Sequence, residues 1–232
     1  MSNLHVLKVF VGEDENGAAV GGNPLGVFLD GPEIPPSERQ AVARDLGFSE
    51  TVFVDDLERG ELCIFTPASE LPFAGHPLVG TAWLMLGEGF PLEILNPPAG
   101  EVPVRQSGGM TYISGRPEWA PPFGHLRLDL PGEVEALPGA PDGYGEVDVG
   151  VWAWEDEAAG RVRARVFVPE LGVAEDEATG AHAVRLAAKL GRTLVIRQGV
   201  GSIIVAEPKP DGMVEIGGKV EIVEEREYGG KP

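Results

Sequence analysis

Phe65-Thr-Pro-Ala-Ser-Glu-Leu-Pro-Phe-Ala-Gly-His-Pro-Leu-Val-Gly-Thr-Ala-Trp-Leu-Met-Leu-Gly87 decides the fold. It reads as a strand that ends near Thr66, a Pro-rich turn, and a helix opening at Gly75-His76-Pro77. Gly75 lets the backbone approach a guest closely. Pro77 suits the first helical position, where a missing N–H costs nothing. Leu78, Val79, Ala82, Trp83, Leu84, Met85 and Leu86 cover most of the helix circumference, so the helix is expected to be buried. A buried helix that turns its free N–H groups and a histidine toward one place makes a site for a small anion.

A second stretch has the same shape. Pro169 to Gly191 reads as a strand exit, an acidic loop and a helix that stops at Gly191. With Gly87 and Gly191 superposed, Gly75-His76 falls opposite Thr179-Gly180, and Pro72 opposite Asp176. Few residues match, so the repeat is one of architecture. It implies an α+β fold of two pseudo-symmetric lobes, each a curled, mostly antiparallel sheet around a central helix. Arg116 to Gly124 is the best linker, giving lobes 1–115 and 116–232, with the last residues able to pair back onto the first lobe. Facing lobes would aim both helix starts, including Ala181, at one cleft.

Outward from the two helices the chain reads as short strands: Leu4 to Phe10, Leu25 to Leu29, Phe48 to Val54, Glu61 to Thr66, Leu92 to Leu95, Val102 to Arg105 and Met110 to Ser114. The second half adds Leu126 to Leu130, Glu146 to Val151, Arg161 to Val168, Thr193 to Gln198, Ser202 to Ala206, Val214 to Ile216 and Val220 to Val223. Ser37 and Gln40 form a capping box for a further helix that Gly47 ends. Gly21-Gly-Asn-Pro24 is a turn or a ligand-facing loop; it lacks the lysine and spacing of a phosphate loop. Glu50 interrupts an apolar run, either as an edge residue or as a site residue. His5 and His125 look ordinary, whereas His182 lies within one turn of the presumed anion site.

Composition narrows the function. The chain has 232 residues, 33 Gly, 21 Pro and 43% hydrophobic residues, which suits a turn-rich globular fold. With 37 acidic against 18 basic residues the net charge is −19, so nucleic acid and anionic membranes are poor partners. The arginines of Arg161-Val-Arg-Ala-Arg165 then read as a polar sheet face. One cysteine, Cys63, placed in a core strand, excludes a disulfide framework and a Cys-based zinc site. No apolar run spans a membrane and no secretory signal is visible, so the cytoplasm is the expected location. No metal, flavin or nicotinamide motif appears.

Gly21-Gly-Asn-Pro, Phe48-Ser-Glu-Thr-Val-Phe-Val, Glu70-Leu-Pro-Phe-Ala-Gly-His-Pro and Glu175-Asp-Glu-Ala-Thr-Gly together resemble the phenazine-biosynthesis isomerase (PhzF-like) family along nearly the whole chain. That family shares the fold of diaminopimelate epimerase. The resemblance implies a cofactor-independent isomerase, a homodimer, that moves a proton on a small carboxylated, possibly cyclic, metabolite. It implies Glu50 as acid and base, and His76 and Asp176 as catalytic partners. Gly75, Pro77, Thr179, Gly180 and Ala181 would hold the substrate. Other readings are a binding protein that has lost turnover, and an amino-acid epimerase working without thiols. The sequence departs from the family in having Glu177 where proline is usual and Ala181 where serine is usual, with His182 next.

Overall fold

A computed structural model describes residues 2–171 and 173–229. Met1, Gly172 within the expected acidic loop, and residues 230–232 of the C-terminal stretch expected to pair back onto the first lobe lie outside the described residues. The first half contains β1 (Ser2–Glu13), β2 (Ala19–Val20), β3 (Asn23–Phe28), α1 (Pro36–Leu46), β4 (Glu50–Asp56), β5 (Glu61–Phe65), β6 (Glu70–Leu71) and α2 (Gly75–Gly87). It continues through β7 (Ile94–Leu95), β8 (Val102–Ser107) and β9 (Met110–Gly115). The second half contains β10 (Gly124–Arg127), α3 (Pro131–Glu135), β11 (Val149–Asp156), β12 (Arg161–Val168), β13 (Val173–Asp176), α4 (Gly180–Leu190), β14 (Leu194–Gln198), β15 (Ser202–Pro208) and β16 (Val214–Tyr228).

The strands form one curled sheet in the order β10-β11-β12-β14-β15-β16-β1-β3-β4-β5-β6. Its symmetry lies in the pairing. Outward from β16 through β1, β3, β4 and β5, the pairs run antiparallel, antiparallel, parallel, antiparallel. Outward through β15, β14, β12 and β11 the same series recurs. These are the two pseudo-symmetric lobes of the α+β fold. The main core joins both lobes around α2 and α4. Smaller cores lie under α1, around Phe28 and Phe53, and under α3, around Val149 and Phe167.

The two inner helices are buried for different reasons. Most of α2 is apolar all round, and Gly80 lets it settle onto β1 and β3: an added Cβ would lie 2.5 Å from Leu25 Cδ2 and 2.7 Å from Val9 Cγ2. In α4 the buried residues include Ala183, Val184, Leu186 and Ala187, while Arg185 and Lys189 lie on its less buried side. Gly191 closes α4 in the left-handed region with φ 63°, as its place after the last apolar residue predicts.

Several expectations are corrected. Helix α1 starts on Pro35-Pro36 with no side-chain cap, and Gln40 instead donates to the Thr66 carbonyl at 2.9 Å. Proline preorganises that first turn, so Ser37 sits inside the helix and no capping box forms. Pro77 is the third residue of α2, still within the turn whose N–H groups lack partners. The two strands expected after Val214 are one, β16, which runs through Gly217-Gly218. Those glycines are a packing need: added Cβ atoms would lie 2.3 Å from Tyr112 Cδ1 and 2.7 Å from Phe10 Cδ1. Two further strands shift: β11 starts later, at Val149, and β10 stops at Arg127 ahead of α3, which the sequence reading omitted. Arg163 is buried rather than on an open polar face, because Glu135 of α3 and the carbonyls of Ala164, Arg197 and Gly199 take up its donors. Cys63 is only half-buried, beside Asp55.

Candidate active site

The starts of α2 and α4 touch. A Cβ on Gly75 would lie 2.8 Å from Gly180 Cα, and one on Gly180 would lie 2.7 Å from Gly75 Cα. Only glycine at both positions permits this approach. Beside the contact lies a cavity of about 30 Å³, room for roughly two waters. Its walls include Glu50, His76, Asp176, Thr179 and Ala181, with Phe73 and Phe123 on the apolar side. The structure thus brings together Glu50, Gly75, His76, Asp176, Thr179, Gly180 and Ala181. Pro77 is buried in the first turn of α2 and stays out of the lining.

Glu50 opens β4, where the parallel pairing with Leu25 of β3 fixes its direction. It is 9% exposed. Its Oε2 lies 3.3 Å from His76 Nε2, and both atoms are buried without a hydrogen-bond partner. Burial, and then the negative charge of Asp176, push the Glu50 pKa up to about 8, against a smaller pull from Ser49. Burial holds the His76 pKa down at about 3, so its ring is neutral at ordinary pH.

Asp176 ends β13 and is held from two sides. Thr179 Oγ1 donates to its Oδ2 at 2.6 Å, and Asn23 Nδ2 donates to its Oδ1 at 2.7 Å. Burial raises its pKa, and those two hydrogen bonds oppose the rise.

Two polar residues were missed as site residues. Asn23 bonds Asp176 and the Ala178 carbonyl (3.0 Å), accepts from Ser49 Oγ (3.0 Å), and has its Nδ2 3.5 Å from His76 Nδ1. Both hydrogens of Asn23 Nδ2 go to Asp176 and the Ala178 carbonyl, so this contact to Nδ1 leaves the His76 tautomer open. Gln198 is fully buried: Nε2 donates to the Asp176 carbonyl and to Thr179 Oγ1, while Oε1 accepts from the Thr179 N–H. The signal for Asn23 was its place in the Gly-Gly-Asn-Pro loop, which was left open as turn or ligand loop. For Gln198 a polar residue ending an apolar strand was the only sign.

His182 points away from the cavity. It packs against His125 with ring centroids 5.1 Å apart, edge-on to Phe123, and under Gly150, where an added Cβ would be 1.8 Å from its Nε2. Among the described residues, no group of three or more His, Cys, Asp or Glu side chains is placed to hold a metal ion, and no helix is long and apolar enough to cross a membrane.

Comparison with known proteins agrees with the fold. The model of a family described as phenazine biosynthesis-like protein matches residues 17–123. The trans-2,3-dihydro-3-hydroxyanthranilate isomerase of Pseudomonas fluorescens is 31% identical over 250 residues, covering 90% of this chain and 82% of its own. The enzyme of the same name from Pseudomonas aeruginosa is 34% identical over 209 residues, covering 74% and 75%. Among solved structures, a PhzF-family phenazine biosynthesis protein from Enterococcus faecalis superposes with a TM-score of 0.71 at 22% identity, covering 97% and 98%. A hydroxyproline epimerase from Agrobacterium vitis with bound trans-4-OH-L-proline superposes with a TM-score of 0.64 at 13% identity, covering 97% and 91%.

Proposed function

Because the chain belongs to the phenazine biosynthesis-like (PhzF) family, whose relatives are isomerases, we propose that it moves a proton between carbons of a small carboxylated metabolite, with Glu50 as acid and base. The observation that carries this is the unpartnered Glu50 Oε2, buried and 3.3 Å from His76 Nε2. A carboxylate that takes protons at about 8 is a far stronger base than an exposed one. At pH 7 roughly a tenth of it is ionised, by the ordinary titration relation.

The steps balance without a redox partner. Ionised Glu50 breaks a substrate C–H bond and takes the proton, and the electron pair spreads into the neighbouring π system. The resulting carboxylic acid returns the proton to a second carbon, and Glu50 is ionised again. The substrate carboxylate sits at the starts of α2 and α4, where backbone N–H groups and helix dipoles balance the charge that develops. His76, with Nε2 3.3 Å from Glu50 Oε2, is the polar neighbour that steers the carboxyl.

Migration is favoured over two-base epimerisation because Asp176 is already tied to Thr179 and Asn23 and has no free run as a second base. A cavity of about 30 Å³ cannot hold a six-membered ring, so the reading requires the lobes to part for substrate entry. The test is incubation with trans-2,3-dihydro-3-hydroxyanthranilate in D2O, read by NMR. Wild-type protein should move deuterium into carbon positions, and Glu50→Gln should slow this by roughly 10²–10⁴-fold. Incorporation by Glu50→Gln at the wild-type rate would remove Glu50 as the base.

A further inference from the structure

Glu177 follows Asp176 but its side chain faces another way, into a socket between two turns. A Cβ on Gly199 would lie 2.1 Å from Glu177 Oε2, and one on Gly21 would lie 2.8 Å from Oε1. Both glycines are in the left-handed region, with φ 56° and 66°. The Val200 N–H donates to both carboxylate oxygens, at 3.0 and 3.1 Å. Ser202 Oγ donates to Oε1 at 2.7 Å and accepts from the Gly22 N–H at 2.8 Å.

These bonds close a ring through the site. Gly22 precedes Asn23. Asn23 bonds Asp176 at 2.7 Å, and Asp176 precedes Glu177. Gly199 follows Gln198, which holds the Asp176 carbonyl and the hydroxyl and N–H of Thr179. The turn that seats Glu177 and the turn that presents Asn23 come from opposite halves of the chain, joined here by one carboxylate and one hydroxyl.

We propose that Glu177 is a positioning residue: through Ser202 and Val200 it pins the Gln198–Ser202 and Gly21–Gly22 turns, and so sets where Asn23 and Asp176 meet at the cavity. The proposal rests on reading that cavity as the reacting site. Charge-assisted hydrogen bonds are the strong class, so the pin holds two separate loops with few atoms. The same negative charge, a neighbour of Asp176, adds to the upward push on the Asp176 pKa.

The test uses NMR on the full chain with Glu177→Gln, which keeps the shape and removes the charge, and Ser202→Ala, which cuts the link to Gly22. The probes are the side-chain amide of Asn23 and the carboxyl titration of Asp176; neither group is bonded by Glu177's side chain. In both variants, exchange of the Asn23 side-chain amide should quicken roughly tenfold, the factor that about 1.4 kcal/mol of lost hydrogen bonding gives. In Glu177→Gln the Asp176 titration should also move down. If only Val200 and the neighbours of Ser202 respond while Asn23 and Asp176 stay as in wild type, Glu177 is a local clip and the proposal is overturned. A Glu50→Gln protein that still exchanges substrate hydrogen would defeat the mechanism yet leave this result standing, so the two failures are distinct.

Discussion

Glu50→Gln is expected to gain stability relative to the wild-type protein as pH rises. In the unfolded chain this carboxyl titrates near 4.5, and in the folded chain at about 8. Between those values the folded state holds a proton that the unfolded state has released. Stability therefore falls as pH rises through the window, by about 1.4 kcal/mol per unit. The accumulated loss is about 3 kcal/mol at pH 7 and about 5 kcal/mol above pH 8. Below pH 4.5 it vanishes. Glutamine keeps the shape and has no charge to desolvate, so the variant should escape the loss. Its amide meets the same unpartnered atoms near His76, which adds an offset of roughly 1–3 kcal/mol that does not vary with pH.

The slope is therefore the quantity to read. Urea unfolding of both proteins at pH 5, 6, 7 and 8 gives the difference in stability at each pH. It should climb steadily in favour of Glu50→Gln. Repeating the pair in an Asp176→Asn background should shrink the climb without abolishing it, because burial outranks the Asp176 charge as the cause. A difference flat within about 0.5 kcal/mol from pH 5 to 8, the usual scatter of such comparisons, would refute the premise that Glu50 is held protonated by its surroundings.

Two further outcomes follow from the buried groups. His182 is pushed down to about 3 by burial and by His125, so its contribution to stability is lost as pH falls from 6.5 toward 3, and His182→Leu should move the acid-unfolding midpoint, followed by tryptophan fluorescence, to lower pH; an unmoved midpoint would count against a buried neutral ring there. Burial and Asp55 raise the Cys63 thiol to about 11 from 9.0, so native protein should react with iodoacetamide at pH 8 about a hundredfold more slowly than urea-unfolded protein, and equal rates would contradict the assigned surroundings.

The parts of the site readable from the sequence are those whose cause is local. Gly75-His76 and Thr179-Gly180 are helix starts, and helix starts are written in neighbouring residues. Glu50 was ambiguous, because a carboxylate in an apolar run looks the same whether it meets water or a cavity. What places it at the candidate site is long-range: it is buried in the cavity that Asp176, 126 positions on by the sequence numbering, also lines. Asn23 and Gln198 were missed for the same reason. Asn23 bonds a carboxylate 153 residues away, and no local pattern announces such a partner. The continuous β16 was read as two strands, interrupted around Gly217-Gly218, whereas those glycines make room for the rings of Tyr112 and Phe10 on other strands.

The meeting of Gly75 with Gly180 also explains the carboxylates. Two helix starts in contact place two partial positive charges together, which is unfavourable unless something negative lies between them. The Asp176 carboxyl lies next to the start of α4, bonded to Thr179. Glu50 near the start of α2 supplies little negative charge, since at about 8 it is mostly protonated at neutral pH. The start of α2 is therefore short of negative charge at rest. In the proposed mechanism that unbalanced end is where a substrate carboxylate docks. Ionising Glu50 beforehand would fill the same need and weaken docking, so substrate binding should loosen as pH rises through about 8, while proton abstraction draws on the ionised fraction.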